Sequence, residues 1–222
     1  MDLKQLLSHV DHTLLSVTAT TEDYVRLCDE ALAHGVASVC VPPTMVWRTA
    51  KLLQRQVKVC TVVGFPCGYT RPRIKVAEAR DAIRNGAKEI DMVINISQAK
   101  EHSYTEIQRE IEEVRSATAG RILKVIIETA VLTDEEKIAL CKVVSDSGAD
   151  YIKTSTGFAS GGATFEDVAL LRKYVAPEVK VKAAGGINTL EDAFKFIELG
   201  ADRLGTSRII KLVQGMEGGA GY

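Results

Sequence analysis

The chain has 222 residues, a formal net charge of −1, 46% hydrophobic residues and 26% charged residues. That length suits one large domain, since α/β barrels run to about 200–250 residues as a single unit, and that charge excludes a global field for nucleic acid or an anionic membrane. No stretch approaches the roughly 20 apolar residues of a membrane span, and the opening Met1-Asp2-Leu3-Lys4 is too charged for a signal segment. The five cysteines are odd in number and lack any CxxC spacing, which reads as reduced thiols in a cytoplasmic protein. His9 and His12 form the one close histidine pair, and without a third ligand nearby they do not make a metal site.

In chain order, residues 2–9 read as a short capping helix and residues 10–15 as a weak first strand. Thr20-Thr21-Glu22-Asp23 has the composition of a helix start, and its apolar face runs to His34-Gly35. A strand–helix unit then repeats. Strands are expected at 36–41, 57–65, 89–95, 122–129, 151–156, 179–184 and from Arg203. Helices are expected at 44–54, 73–85, 104–117, 134–147, 165–174, 190–199 and 207–214. The strands are near-continuous apolar runs, as in a parallel sheet covered on both faces. About eight βα units with a repeat near roughly 30 residues predict a single-domain (β/α)8 barrel with an N-terminal capping helix. A doubly wound open sheet is the alternative, and the absence of GxGxxG after the first strand counts against it. The barrel is expected to occupy residues 1–214, and 215–222 to form a flexible glycine-rich tail.

Polar residues interrupt these apolar strands at Asp11, Cys40, Asp91, Lys124, Lys153 and Lys182. Any one of them alone is more often an edge or outward-facing residue. Five charged residues at comparable places on five strands are harder to explain so, because an unpaired buried ion costs several kcal/mol. Clustering lets them compensate one another. An amine nucleophile must be neutral, and with an ordinary pKa of about 10.4 only about one lysine in 2,500 is neutral at pH 7. Low dielectric and a neighbouring cation both disfavour the ammonium, so a lysine beside a lysine suits Schiff-base chemistry, with an aspartate to move protons. A satisfied ion-pair network without chemistry is the competing reading.

Glycine and hydroxyl residues close the last three strands at Thr156-Gly157, Gly185-Gly186 and Gly205-Thr206-Ser207. Glycine lets backbone N–H groups approach an anion, and the loops after strands seven and eight of a barrel recurrently bind phosphate. Ser207 is expected to open a helix whose N-terminus favours phosphate, with Arg208 adding charge. Together these features imply a phosphorylated carbonyl compound and an amine nucleophile.

Read in sequence, the chain resembles the deoxyribose-phosphate aldolase family over nearly its whole length. The motifs are Asp11-His12-Thr13, Ser38-Val39-Cys40-Val41-Pro42-Pro43, Gly64-Phe65-Pro66-Cys67-Gly68 and Glu89-Ile90-Asp91-Met92-Val93-Ile94-Asn95. They continue with Lys124-Val125-Ile126-Ile127-Glu128-Thr129, residues 152–158, Lys182-Ala183-Ala184-Gly185-Gly186-Ile187 and Gly205-Thr206-Ser207. The resemblance implies reversible cleavage of 2-deoxy-D-ribose 5-phosphate to acetaldehyde and D-glyceraldehyde 3-phosphate, without metal or organic cofactor. By position it makes Lys153 the Schiff-base lysine, Lys182 the second lysine that lowers its pKa, and Asp91 the proton relay. Thr156, Gly157, Gly185, Gly186, Gly205 and Ser207 fall on the phosphate-binding turns, and Asp11, Cys40 and Lys124 on the pocket lining. Tyr222 resembles a terminal tyrosine that enters the site in some members. Pro42, Cys67 and Phe158 depart from the family pattern, and Arg208 is the cation expected to replace a lysine at Phe158. Expected partners are a small phosphosugar and, through outer helices, further copies of the chain. Two rivals are kept open: another phosphosugar barrel enzyme such as an isomerase, and a non-catalytic phosphosugar-binding barrel.

Overall fold

The computed structural model describes residues 1–215, whose strands are all parallel and close into one barrel, each hydrogen-bonded to the next and the last to the first. In order the elements are α1 (Leu3–Leu7), β1 (Val10–Thr13), α2 (Thr21–His34), β2 (Ser38–Val41), α3 (Val46–Leu53), β3 (Lys58–Val63), α4 (Pro72–Arg84), β4 (Glu89–Val93) and α5 (Ile96–Lys100). They continue with α6 (Tyr104–Ala117), β5 (Ile122–Ile126), α7 (Asp134–Asp146), β6 (Tyr151–Lys153), α8 (Phe165–Tyr174), β7 (Lys180–Ala184), α9 (Leu190–Glu198), β8 (Arg203–Thr206) and α10 (Ile209–Val213). The expected (β/α)8 barrel is the fold, and the open doubly wound sheet is not. Among the described residues no helix is long and apolar enough to cross a membrane.

The register explains how the ring closes. Partners run Asp11, Ser38, Lys58, then Cys60, Glu89, Ile122, then Lys124, Tyr151, Lys180, then Lys182, Arg203, and from Gly205 back to Asp11. The path slips by two residues at each of four breaks, which is the shear of eight expected of this barrel. Every residue on that path has the same parity, so all of them share the inner face. The opposite parity, including Val39, Val59, Ile90, Met92, Leu123, Val125, Ile152, Val181 and Leu204, points outward into the main apolar core beneath the helices. Inside the barrel the apolar contribution is small: Leu15, Cys40, Cys60 and Val62, with Phe65 against them. The same face carries the charged strand residues, with Ser38 and Tyr151 among them.

Helix starts follow their caps. Thr20, Thr133 and Thr189 each form a capping box with Asp23, Glu136 and Asp192, and Asp2 does the same with Gln5. Several boundaries differ from the sequence reading. The strand read over 151–156 stops at Lys153, because the Thr154 hydroxyl takes over pairing with β7 by accepting from the Ala184 N–H at 3.1 Å. The strand read to 129 stops at Ile126, after which Glu128 adopts a left-handed φ of 59°. The last helix begins at Ile209, not Ser207, because Thr206 Oγ1 accepts from the Arg208 N–H at 3.0 Å and closes a turn there. The first helix is confined to Leu3–Leu7, and the short helix Ile96–Lys100 was not anticipated. Tyr222 and the rest of the expected tail beyond Gly215 lie outside the described residues.

Candidate active site

Inner-face parity brings the strand lysines and acids together in the lumen. Asp91 of β4 sits at the centre, fully buried. Its Oδ2 accepts from Lys153 Nζ at 2.8 Å and from Lys182 Nζ at 2.7 Å, so one oxygen bridges both lysines. Its Oδ1 accepts from Lys124 Nζ at 2.8 Å and from the Cys60 thiol at 3.1 Å. Asp11 of β1 takes Lys182 at 2.6 Å on Oδ2, and Arg203 at 2.5 Å and the Ser38 hydroxyl at 2.6 Å on Oδ1. Glu89 at the start of β4 takes Lys124 at 2.6 Å and Arg203 at 3.0 Å. Arg203 also lies over the Tyr151 ring, 5.5 Å from its centroid.

The electrostatics follow from this geometry. Burial pushes the Asp91 carboxyl up, but Lys124, Lys153 and Lys182 together outweigh it and hold Asp91 well below the usual carboxylate range. Burial likewise opposes ionisation of Asp11, and Lys182, Lys124 and Arg203 overcome it. Lys182 loses hydration on burial, yet Asp11 and Asp91 hold it above the ordinary lysine value as an ammonium ion. Lys124 is raised in the same way, against burial, chiefly by Asp91. Three fully buried carboxylates therefore face three cations: Lys182 and Arg203 each bond two of them, and Lys124 bonds Glu89 and Asp91 with Asp11 at 3.6 Å. Lys153 bonds one, at the outward end of β6, and is 4% exposed.

Above this layer lies a cleft of about 250 Å³, whose lining includes Gly157, Gly185, Gly186, Gly205, Ser207 and Arg208, with Ser160 and Asn188. Gly185 and Gly186 have φ of 69° and 71°, and a Cβ on Gly186 would come within 2.6 Å of the Ala163 carbonyl oxygen. Only glycine allows that approach. Gly205 has a second job, since a Cβ there would stand 3.0 Å from Lys182 Cε. Arg208 donates to Asn188 Oδ1 and is the one charged side chain on the cleft wall among the described residues.

The expected residues separate into these layers. Lys153, Lys182 and Asp91 meet, and Gly157, Gly185, Gly186, Gly205 and Ser207 share the cleft. Thr156 does not line it: its hydroxyl donates to Glu128, and its N–H also points to that carboxylate at 3.2 Å. Asp11, Cys40 and Lys124, expected as pocket lining, are fully buried, as Asp91 and Lys182 are, and Asp11 and Lys124 join the same ion network. Glu89, Arg203 and Cys60 were missed. Glu89 and Arg203 open their strands, where a charged residue reads as solvated, and only their parity with Asp91 and Gly205 could have marked them. Phe158 packs edge-on against Phe65, with ring centroids 5.2 Å apart. The donors of Cys40, Cys60 and Asp91 lie within 4.8 Å of one another, as do those of Asp11, Cys60 and Glu89, but a metal there would have to displace the resident ammonium groups.

The comparisons with known proteins agree with this geometry. The model of the DeoC/LacD family aldolases matches residues 2–219. A deoxyribose-phosphate aldolase of Clostridioides difficile is 52% identical over 212 residues, spanning 96% of this chain and 97% of that protein. One of Streptococcus agalactiae is 53% identical over 214 residues, with 96% of each covered. The solved deoxyribose phosphate aldolase of Aeropyrum pernix superposes with a TM-score of 0.89 at 33% identity, over 96% of this chain and 91% of its own. A closed barrel with a lysine-filled lumen, matched end to end by that family's model, means that the chain belongs to the DeoC/LacD aldolases.

Proposed function

We propose that this aldolase acts on 2-deoxy-D-ribose 5-phosphate through an imine on Lys153, releasing acetaldehyde and D-glyceraldehyde 3-phosphate as a deoxyribose-phosphate aldolase. The carrying observation is that Lys153, at the open end of its strand, shares one Asp91 oxygen with an ammonium already matched by Asp11. The other three lumen cations already match the three carboxylates, so the amine of Lys153 can be neutral without unbalancing the lumen.

The reaction follows from that arrangement. The neutral Nζ attacks C1 of the open-chain sugar, and loss of water gives an iminium that accepts electrons. The C2–C3 bond then breaks as the C3 hydroxyl loses its proton, leaving an enamine on Lys153 and free glyceraldehyde 3-phosphate. That proton passes through water to the Asp91–Lys182 pair, because Asp91 is buried and both its oxygens are bonded to lysines. The pair returns a proton to C2, and hydrolysis frees acetaldehyde and the amine. The glycine cleft with Ser207 and Arg208 holds the phosphate, so remote binding energy orients C1 over Nζ. The five free cysteines support a cytoplasmic setting. An oligomer of this chain is part of the reading, as the Aeropyrum pernix enzyme is described as tetrameric.

Reduction with borohydride in the presence of acetaldehyde tests the reading. The expected product is a single N-ethyl group on Lys153, located by peptide mass, alongside glyceraldehyde 3-phosphate formation in a coupled assay. An adduct confined to Lys124 or Lys182 refutes the assignment, and binding without turnover would leave only a sugar-phosphate receptor.

A further inference from the structure

At the opposite end of the barrel, the loops entering β3, β4 and β5 enclose a second cleft of about 760 Å³. That volume falls within the range of small-molecule sites, about 300–1,000 Å³. Buried Val57 and Val59, with Ala50 and Ile122, supply an apolar wall. Arg55, Lys58, Lys88, Arg115 and Arg121 also line it, against one carboxylate, Asp150. Asp150 is already taken: Arg115 donates to it at 2.6 Å and the Leu123 N–H at 2.7 Å. Lys58 reaches Glu89 only at 3.8 Å. Arg121 donates to the adjacent Gly120 carbonyl, and its Nε is buried without a partner. Arg55 and Lys88 have no ion pair among the described residues.

The whole chain is net −1, so this convergence is local. Cations gathered on one concave surface repel one another until an anion joins them. Gln54 and Arg55 both hold left-handed φ, 46° and 67°, a conformation uncommon outside glycine, and this turn presents Arg55 to the cleft. A lone phosphate would leave the valine wall and half of the cations unused. We propose that the cleft binds a nucleoside polyphosphate, its phosphates on Arg55, Lys58, Lys88 and Arg121 and its base against Val57 and Val59. Guanidinium groups suit phosphate by their paired N–H donors.

The test is calorimetric titration of the full chain with ADP, and separately with pyrophosphate and with adenosine, each with and without saturating 2-deoxyribose 5-phosphate. ADP is expected to bind one-to-one whether or not the sugar phosphate is present, about tenfold or more tighter than either fragment. R55Q, K88Q and R121Q are each expected to weaken ADP by about threefold to tenfold and to leave retro-aldol turnover unchanged. Arg55 and Lys88 are exposed, so their variants remain informative even where Arg121 supports the local fold. Displacement of ADP by the sugar phosphate would assign it to the catalytic cleft and overturn the proposal. Pyrophosphate binding as tightly as ADP would overturn the nucleoside assignment, and no heat at millimolar ADP would remove the site altogether.

Discussion

Arg208 is the residue on which the proposed phosphate binding is most directly tested. It is the one charged side chain on the wall of the catalytic cleft among the described residues, and Asn188 already fixes its guanidinium. A charge-assisted hydrogen bond is worth about 1.5–3 kcal/mol, so R208Q should raise KM for the sugar phosphate about tenfold to a hundredfold. Because its proposed contact is with the phosphate and not the reacting carbons, kcat should hold within about twofold. Steady-state kinetics decides this, and a fall in kcat at unchanged KM would remove Arg208 from phosphate binding. At this scale the strand residues were the legible part. Lys153, Lys182 and Asp91 stood out because charged residues are rare inside apolar strands. Thr156 misled, because a hydroxyl beside a glycine reads alike whether it faces a ligand or, as here, Glu128.

The helix α4 shows how an outer element holds the ends of the strands that carry the chemistry. Its Lys75 is fully buried, pairs with Glu110 of α6 at 2.7 Å and donates to the Val93 carbonyl at the end of β4 at 2.7 Å. The lysine stem runs against Gly64, where a Cβ would stand 2.6 Å from Cε. Burial lowers Lys75 and raises Glu110, each more than the partner's charge restores. Such a pair stabilises little over an apolar replacement, yet removing one member strands the other. K75M is therefore expected to cost about 3–5 kcal/mol, and K75M/E110L to recover most of it, as read by urea unfolding of both. Equal losses in the single and double variants would mean that the pair itself is stabilising. This support was not legible in sequence: Lys75 shares the helical spacing of Ala79 and Ala82, but in a helix rich in charged residues nothing marks it as buried or names Glu110 as its partner. The helix boundaries were legible where caps declare them, at Thr20, Thr133 and Thr189. They were not at Ser207, where a side-chain turn delays the helix.

At the scale of the whole barrel, the charged lumen makes stability depend on pH at both extremes. Asp11 and Asp91 stay ionised in the folded chain below 3.8, the ordinary aspartate value, whereas the unfolded chain takes up protons there. Their contribution is therefore present above that value and lost as pH falls, by up to about 2.7 kcal/mol per pH unit for the two. Lys124 and Lys182 act in mirror image, since their raised values keep a contribution that is complete below 10.5 and lost as pH rises beyond it. Urea midpoints are expected to be level between about pH 5 and 9 and to fall on either side. A midpoint that rises between pH 4 and 3 would contradict the network. The closed topology was readable from the strand–helix rhythm, whereas the pairing of charges across the lumen required the register. That register has a directional result. The buried acids Asp11, Glu89 and Asp91 all come from the first four strands, and the buried bases Lys124, Lys153, Lys182 and Arg203 all come from the last four. Within the lumen, each half of the polypeptide thus contributes buried ions of a single sign. Two copies of either half would meet as mutual repellents, while unlike halves would neutralise one another, so the sequence encodes which semicircle must face which.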